Sequence, residues 1–354
     1  MAMQNISKTL NGRGVSENLP NRFKPFAQAV DDYCHEAETS NPETVFFKDV
    51  SRTILSKNDS PDIPFESSLN PYRGCEHGCV YCYARPMHEY MEWSAGLDFE
   101  TKILVKEDAP QLLEKTLSSK NWKPQTVALS GATDPYQPAE RSFEISRKCL
   151  QVFLKFRNPV VAITKNFLAT RDVDLFSQLA EHNTSAIYIS LNSLDASLAR
   201  KMEPRASSPE RRLEAIRKFS KAKVPVGVLV APIIPGLNDF EIPAVLNAAA
   251  EAGASFAGYV VLRLPFGVED LFTEWLDDAY PNKKDKVLNR LRSLRSGSLY
   301  NSDFKSRMVG EGVFAKQIAD LFELSRKKAG ITGRGPILDT KGFIPPTGRQ
   351  LTLF

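Results

Sequence analysis

The sequence predicts an α/β protein, a parallel sheet curved into a partial (β/α)6 barrel, with an N-terminal extension before it and a helical region after it. Three observations carry that expectation. First, short apolar runs alternate with amphipathic stretches between about Phe65 and Phe266; the runs fall at Thr126–Ser130, Val160–Thr164, Ala186–Leu191, Val226–Ala231 and Phe256–Leu262. Apolar runs of this length read as buried strands, and strands alternating with helices imply parallel pairing through right-handed crossovers. Second, a further strand is expected just before a cysteine-rich loop at Cys75–Cys82, which brings the total to six. Third, that loop then stands at the C-terminal end of a strand, where barrels of this kind carry their chemistry.

Taken in order, residues 1–63 are polar and broken by loop signals such as Asn11-Gly12-Arg13-Gly14 and Ser56-Lys57-Asn58-Asp59-Ser60-Pro61. They read as an extension wrapped on the main domain. Cys34 lies alone in it, and an isolated cysteine is expected to be inert. Residues 64–267 form the barrel. Within them Ser142–Arg157 sets Ile145, Cys149, Val152, Phe153 and Phe156 on one helical face, which places Cys149 in the core. Ser208-Pro209-Glu210 opens another helix, with a capping hydroxyl and proline at the first helical position. Asp239–Glu251 is a helix stopped by Gly253. Residues 268–328 are expected to be helical at Asp270–Asp277, Lys284–Arg295 and Gly312–Lys328, and the basic residues from Lys283 to Arg295 read as a solvated face. Residues 329–354, rich in glycine and proline, read as an extended tail.

Composition narrows the class. A chain of 354 residues, 42% hydrophobic and 25% charged, reads as an ordinary soluble globular protein. It has no run of about 18 apolar residues, so no membrane partner is expected. Met1 to Lys8 lack the apolar segment of a signal peptide. Five cysteines, three of them crowded, argue against a disulfide scaffold and for the reducing cytoplasm. A net charge of +4 permits an anionic partner without demanding one.

The crowded cysteines carry the chemistry. Cys75, Cys79 and Cys82 are spaced C-x3-C-x2-C. Thiols this close become thiolates mainly by binding a metal, whose charge favours deprotonation. Structural zinc usually takes two separated pairs, and iron–sulfur clusters are held by thiolates, usually four. Three thiolates on a four-iron cluster leave one iron open. Zinc and a redox trio remain the alternatives at this point.

The same spacing, with Tyr81 just before the third cysteine, resembles the radical SAM superfamily. The resemblance implies that Cys75, Cys79 and Cys82 hold a [4Fe–4S] cluster whose fourth iron is chelated by S-adenosylmethionine (SAM). It further implies reductive cleavage of SAM to a 5′-deoxyadenosyl radical that abstracts hydrogen from a substrate, fed by a reductase or other electron donor. Cofactor-binding residues are then expected at the strand ends and beside the cluster. Ser130, Gly131, Thr133 and Asp134 correspond in position to the stretch that holds the methionyl amino group. Lys165 and Arg205 suit the carboxylate, Ser190 and Asn192 the ribose, and Tyr81 stands next to the cluster.

Within the superfamily the chain is similar to the spore photoproduct lyase-like group. The residues that carry this are Tyr81-Cys82-Tyr83, Thr133-Asp134, Thr164-Lys165 and Leu198–Arg205. It is also similar to a bacterial radical SAM group with Asn-Pro-Tyr-Arg-Gly-Cys-Glu-His-Gly-Cys and Thr-Asp-Pro-Tyr-Gln-Pro, both present here. Spore photoproduct lyases split a thymine–thymine adduct in DNA, so the resemblance implies a DNA substrate, lyase-like repair, and Tyr83 and Tyr81 as catalytic residues. Where those lyases carry a cysteine hydrogen donor this chain has Gly131-Ala132. The run Gln350-Leu351-Thr352-Leu353-Phe354 resembles the bacterial sliding-clamp-binding pentapeptide, implying a clamp partner through Gln350, Leu351, Leu353 and Phe354. Two other readings stand beside this one: a radical SAM enzyme acting on a protein or small metabolite, and a non-catalytic iron–sulfur scaffold or sensor bound to the clamp.

Overall fold

The computed structural model describes residues 10, 12–23, 42–333 and 335–345. Cys34 and the run Gln350–Phe354, with its clamp-binding expectation, lie outside the described residues.

Ten strands follow one another among the described residues: β1 (Val45–Lys48), β2 (Leu55–Lys57), β3 (Ser67–Leu69), β4 (Tyr72–Arg73), β5 (Lys102–Val105), β6 (Val127–Leu129), β7 (Val160–Thr164), β8 (Ser185–Ser190), β9 (Val226–Ile233) and β10 (Phe256–Val261). The main sheet runs β10-β9-β8-β7-β6-β3-β2. From β3 to β10 the pairs are all parallel, so the six expected strands lie side by side in chain order. β2 adds an antiparallel edge. A smaller sheet, β1-β5-β4, flanks it.

Helices supply the crossovers and outer layer: α1 (Leu97–Thr101), α2 (Ala109–Leu117), α3 (Glu140–Phe143), α4 (Ile145–Phe156), α5 (Val173–Glu181), α6 (Ala196–Met202), α7 (Pro209–Lys221) and α8 (Ile242–Glu251). Beyond the barrel come α9 (Val268–Ala279), α10 (Lys284–Ser293), α11 (Ser306–Val309) and α12 (Gly312–Lys328). The core forms because central strands such as β8 are apolar on both faces while each helix offers one apolar stripe. Ile187, Ile189 and Val228 meet Cys149, Phe153, Phe176, Phe219 and Leu246 in one continuous cluster. A second cluster joins Val80 and Tyr81 of the cysteine loop to Leu262, Phe272 and Trp275, seating α9 against that end of the barrel. Cys149 is fully buried, as its helical spacing requires. None of the helices is long and apolar enough to cross a membrane among the described residues.

The structure departs from the sequence expectation in four places. Residues 45–48 and 55–57, read as irregular, are strands; their pairing partners lie at 102–105 and 67–69, so the pattern is set by the neighbour. The helix expected over Ser142–Arg157 is broken at Glu144, which takes a left-handed φ of 53° between α3 and α4. The helix expected from Asp239 begins as a 3-10 turn over Asp239–Glu241. Finally, Arg295 does not belong to a solvated face: it is 3% exposed. The described residues beyond α12 run back along the barrel, where Phe343 stacks on Phe156 and Asp339 N donates to the Asn183 carbonyl at 2.8 Å.

Candidate active site

The cysteine loop leaves β3 and is fastened at every turn. Gly74 and Gly78 have φ of +79° and +65°, a conformation costly for any residue with a side chain. A Cβ on Gly78 would stand 2.7 Å from Glu100 Oε2. The fastening side chain is Arg85, buried with its partner Glu100. Its Nε donates to the Cys79 carbonyl at 3.0 Å, and Nη1 to the carbonyls of Ala95 (3.1 Å) and Gly96 (2.9 Å). Glu100 in turn accepts from the backbone N–H of Gly14 at 3.0 Å, which pins an N-terminal segment over the loop. The backbone N–H of Cys75 donates to the Phe99 carbonyl at 2.9 Å, and that of Val80 to the Met202 carbonyl at 3.1 Å.

Cys75 and Cys79 are buried and Cys82 half-buried. Burial pushes the Cys79 and Cys82 thiols up, and Lys165 pulls against it at both. A cationic cluster would reverse that balance and hold them as thiolates. No three His, Cys, Asp or Glu side chains among the described residues stand close enough to share one ion. A four-iron cluster makes a different demand, since each thiolate takes its own iron.

The predicted residues at the ends of β6, β7 and β8 converge on this loop. Asp134 ties three elements together. Its Oδ1 accepts from Thr164 Oγ1 at 2.6 Å and from the Tyr136 N–H at 2.9 Å. Its Oδ2 accepts from the Lys165 N–H at 3.0 Å and lies 3.4 Å from His77 Nδ1. Although burial opposes it, the His77 ring holds the Asp134 carboxyl well below the usual carboxylate range. Thr133 Oγ1 donates to the Gly74 carbonyl at 2.7 Å, and Ser130 Oγ to the Thr133 carbonyl at 3.3 Å. Gly131 accepts from Tyr83 Oη at 2.6 Å. Tyr83 is 46% exposed, immediately after Cys82.

Lys165 reaches over the Tyr81 ring, 5.8 Å from Nζ to centroid. Burial acts to lower its pKa, but Cys79, Glu203 and Asp134 together raise it, so it stays charged. Tyr81 Oη donates to Glu203, which is itself paired with Arg212 in a buried ion pair. Asn192 Nδ2 donates to the same carboxylate at 3.3 Å, while Asn192 Oδ1, buried, has no partner among the described residues. An unpartnered buried acceptor at a strand end fits a ligand hydroxyl. Ser190 Oγ donates to the Ala231 carbonyl at 3.3 Å. Arg205, read from sequence as a cofactor-carboxylate partner, is committed within the protein: Nη2 lies 3.2 Å from Glu76 Oε1.

Several residues here were not legible in the sequence. Arg85 and Glu100 carry no motif. Gln137, whose Oε1 accepts from the Glu76 N–H at 2.9 Å, sits in the quoted Thr-Asp-Pro-Tyr-Gln-Pro run, and Glu203 sits in Leu198–Arg205, so those two stretches held the signal.

The radical SAM superfamily profile matches residues 69–249, the span from β3 into α8. The chain belongs to the radical SAM superfamily. As a radical SAM protein it takes a [4Fe–4S] cluster and SAM. An uncharacterised protein of Mycobacterium tuberculosis is 33% identical over 271 residues, covering 76% of this chain and 78% of its own. Among solved structures, spore photoproduct lyase complexed with dinucleoside spore photoproduct superposes with a TM-score of 0.59 at 18% identity, over 80% of this chain and 79% of its own. A variant of that lyase with bound AdoMet and dinucleoside spore photoproduct gives 0.59 at 17%, over the same shares. These likenesses establish the radical SAM barrel.

Proposed function

We propose that this radical SAM protein abstracts hydrogen from DNA or a DNA-borne adduct, in lyase-like repair. The observation that carries the reading is Tyr83: a half-exposed phenol next to a cluster cysteine, its hydroxyl aimed by the Gly131 carbonyl. When bound, the cluster and SAM supply a 5′-deoxyadenosyl radical. The protein's own residues do the rest. Cys75, Cys79 and Cys82 hold the cluster. Lys165 pairs with the SAM carboxylate, Asn192 Oδ1 accepts from a ribose hydroxyl, and the Ser130–Asp134 turn lines the amino-group side. Tyr83 supplies a phenolic hydrogen, which rests on the Gly131 carbonyl until a substrate radical takes it, and Tyr81 is anchored on Glu203. No thiol stands at Gly131-Ala132, so hydrogen return falls to Tyr83: its O–H breaks as the product C–H forms, and the phenoxyl radical left behind is restored by one electron from the reductase or other donor and one proton. The run Gln350–Phe354 would tether the enzyme to a sliding clamp and raise its concentration at DNA.

Anaerobic reconstitution with iron, sulfide, reductant and SAM, with a panel of damaged DNAs and mass spectrometry of products, tests the reading. Release of 5′-deoxyadenosine with a changed DNA product supports it; 5′-deoxyadenosine with every DNA unchanged points to a protein or small-metabolite substrate. No 5′-deoxyadenosine together with no changed DNA leaves a cluster-bearing scaffold. A clamp pull-down with and without residues 350–354 tests the tether separately.

A further inference from the structure

We infer that Arg263 and Arg295 form an anion subsite beside Tyr83 that takes a phosphodiester of the substrate. The site stands on observations of its own; naming the anion a phosphodiester rests on the DNA reading above.

Arg263 follows β10 by two residues and therefore lies at the same strand-end rim as the cysteine loop. Its guanidinium sits over the Tyr83 ring, 5.3 Å to the centroid. Nη1 lies 3.5 Å from Met308 Sδ, a weak acceptor, and the buried Nε has no partner among the described residues. Arg295, just beyond α10, is 3% exposed. One Nη2 hydrogen goes to the Leu262 carbonyl, while Nε and Nη1, both buried, have no partner among the described residues. No carboxylate among the described residues pairs with either arginine. Burial, with Arg263 beside it, pulls the Arg295 guanidinium down to about 10, so Arg295 remains cationic at neutral pH.

The rest of the fold shows how unusual this is. Arg85 and Arg212 are equally buried, and each is matched to a glutamate and to backbone carbonyls. Two adjacent guanidiniums with three unused buried donors repel each other and cost stability unless an anion joins them. Planar, forked donors match phosphate oxygens two at a time. An aromatic ring beneath one of them offers a stacking face for the attached base. A phosphodiester held here would set the neighbouring base or sugar at Tyr83, next to the cluster loop.

The test uses the reconstituted holoprotein with SAM, under anaerobic conditions, and calorimetric titration with three probes: inorganic phosphate, thymidylyl-thymidine, and its neutral methylphosphonate analogue. The charged dinucleotide is expected to bind about 10- to 100-fold tighter than the neutral one, the range for hydrogen bonds to charged groups. R263Q should erase that preference, so that the two dinucleotides bind alike. R295Q should do the same; circular dichroism checks its folding, and the partly exposed Arg263 carries the test if Arg295 proves necessary for folding. Equal binding of both dinucleotides to the wild-type protein, or failure of all three probes to bind, overturns the subsite. Phosphate binding that needs Arg263, with neither dinucleotide bound, keeps the subsite and removes the DNA reading instead.

Discussion

Lys165 shows how a side chain's neighbours decide its chemistry. Its ammonium is drawn in by Cys79, Glu203 and Asp134, and it stays charged in spite of burial. Removing it should weaken SAM binding rather than unfold the protein. Lys165→Ala is expected to raise the SAM dissociation constant about 10- to 100-fold by equilibrium titration, the range for a lost charge-assisted hydrogen bond, with iron content unchanged. His88 makes the opposite point. It packs edge-on to Phe99 and beside Trp93, and its Nε2 has no partner among the described residues. Burial pulls its pKa down from 6.5 to about 4, so the folded protein holds it neutral. The unfolded chain therefore binds more protons between those values, and stability falls as pH drops from about 6.5 toward 4. The loss approaches ~3 kcal/mol, and His88→Leu should flatten that part of the pH profile in urea unfolding.

The cysteine loop is an element without regular structure of its own, held by a buried ion pair and two left-handed glycines. Arg85 serves the loop, α1 and the turn before it at once, so removing one partner strands the other in the interior. Arg85→Met or Glu100→Gln should each cost about 3–5 kcal/mol in urea unfolding, whereas the double replacement Arg85→Met/Glu100→Leu should cost less than the sum. Gly78→Ala meets both a positive φ and the Glu100 carboxylate. It should lower iron retained after reconstitution at least as much as it lowers stability, because the strain falls on the segment between Cys75 and Cys79. Retention of a full iron complement by Gly78→Ala would show that the loop can reshape.

Across the whole molecule, the site is an assembly of strand ends brought together by one sheet. The main cluster of core residues lies between the strands and α2, α4, α5, α7, α8 and α12 and includes none of Cys75, Cys79 and Cys82. The triple variant Cys75→Ala/Cys79→Ala/Cys82→Ala is therefore expected to lose iron and SAM cleavage while far-UV circular dichroism keeps its helical and strand signal. Collapse of that signal would mean that the cluster organises the barrel as well as the chemistry. The β1-β5-β4 sheet and the described residues beyond α12 add cover outside this assembly, while the end of β10 brings Arg263, and the C-terminal helical region Arg295 and Met308, to the rim where Tyr83 is exposed.

Local pattern was enough for the parallel strands and the cysteine trio. Val160–Thr164 alternates or runs apolar over a strand length, and C-x3-C-x2-C brings thiols together whatever surrounds it, because both signals are written in neighbouring residues. The same holds for the Ser208 cap and for Cys149 on its helical stripe. Partnership across the chain was not legible. Arg205 turned to Glu76, Arg85 found Glu100, β1 found β5, and Arg295 left the basic surface for the interior. Each of these is a choice among many compatible charges or edges, and only the packed arrangement, which buries one pair and exposes the rest to solvent, makes the choice.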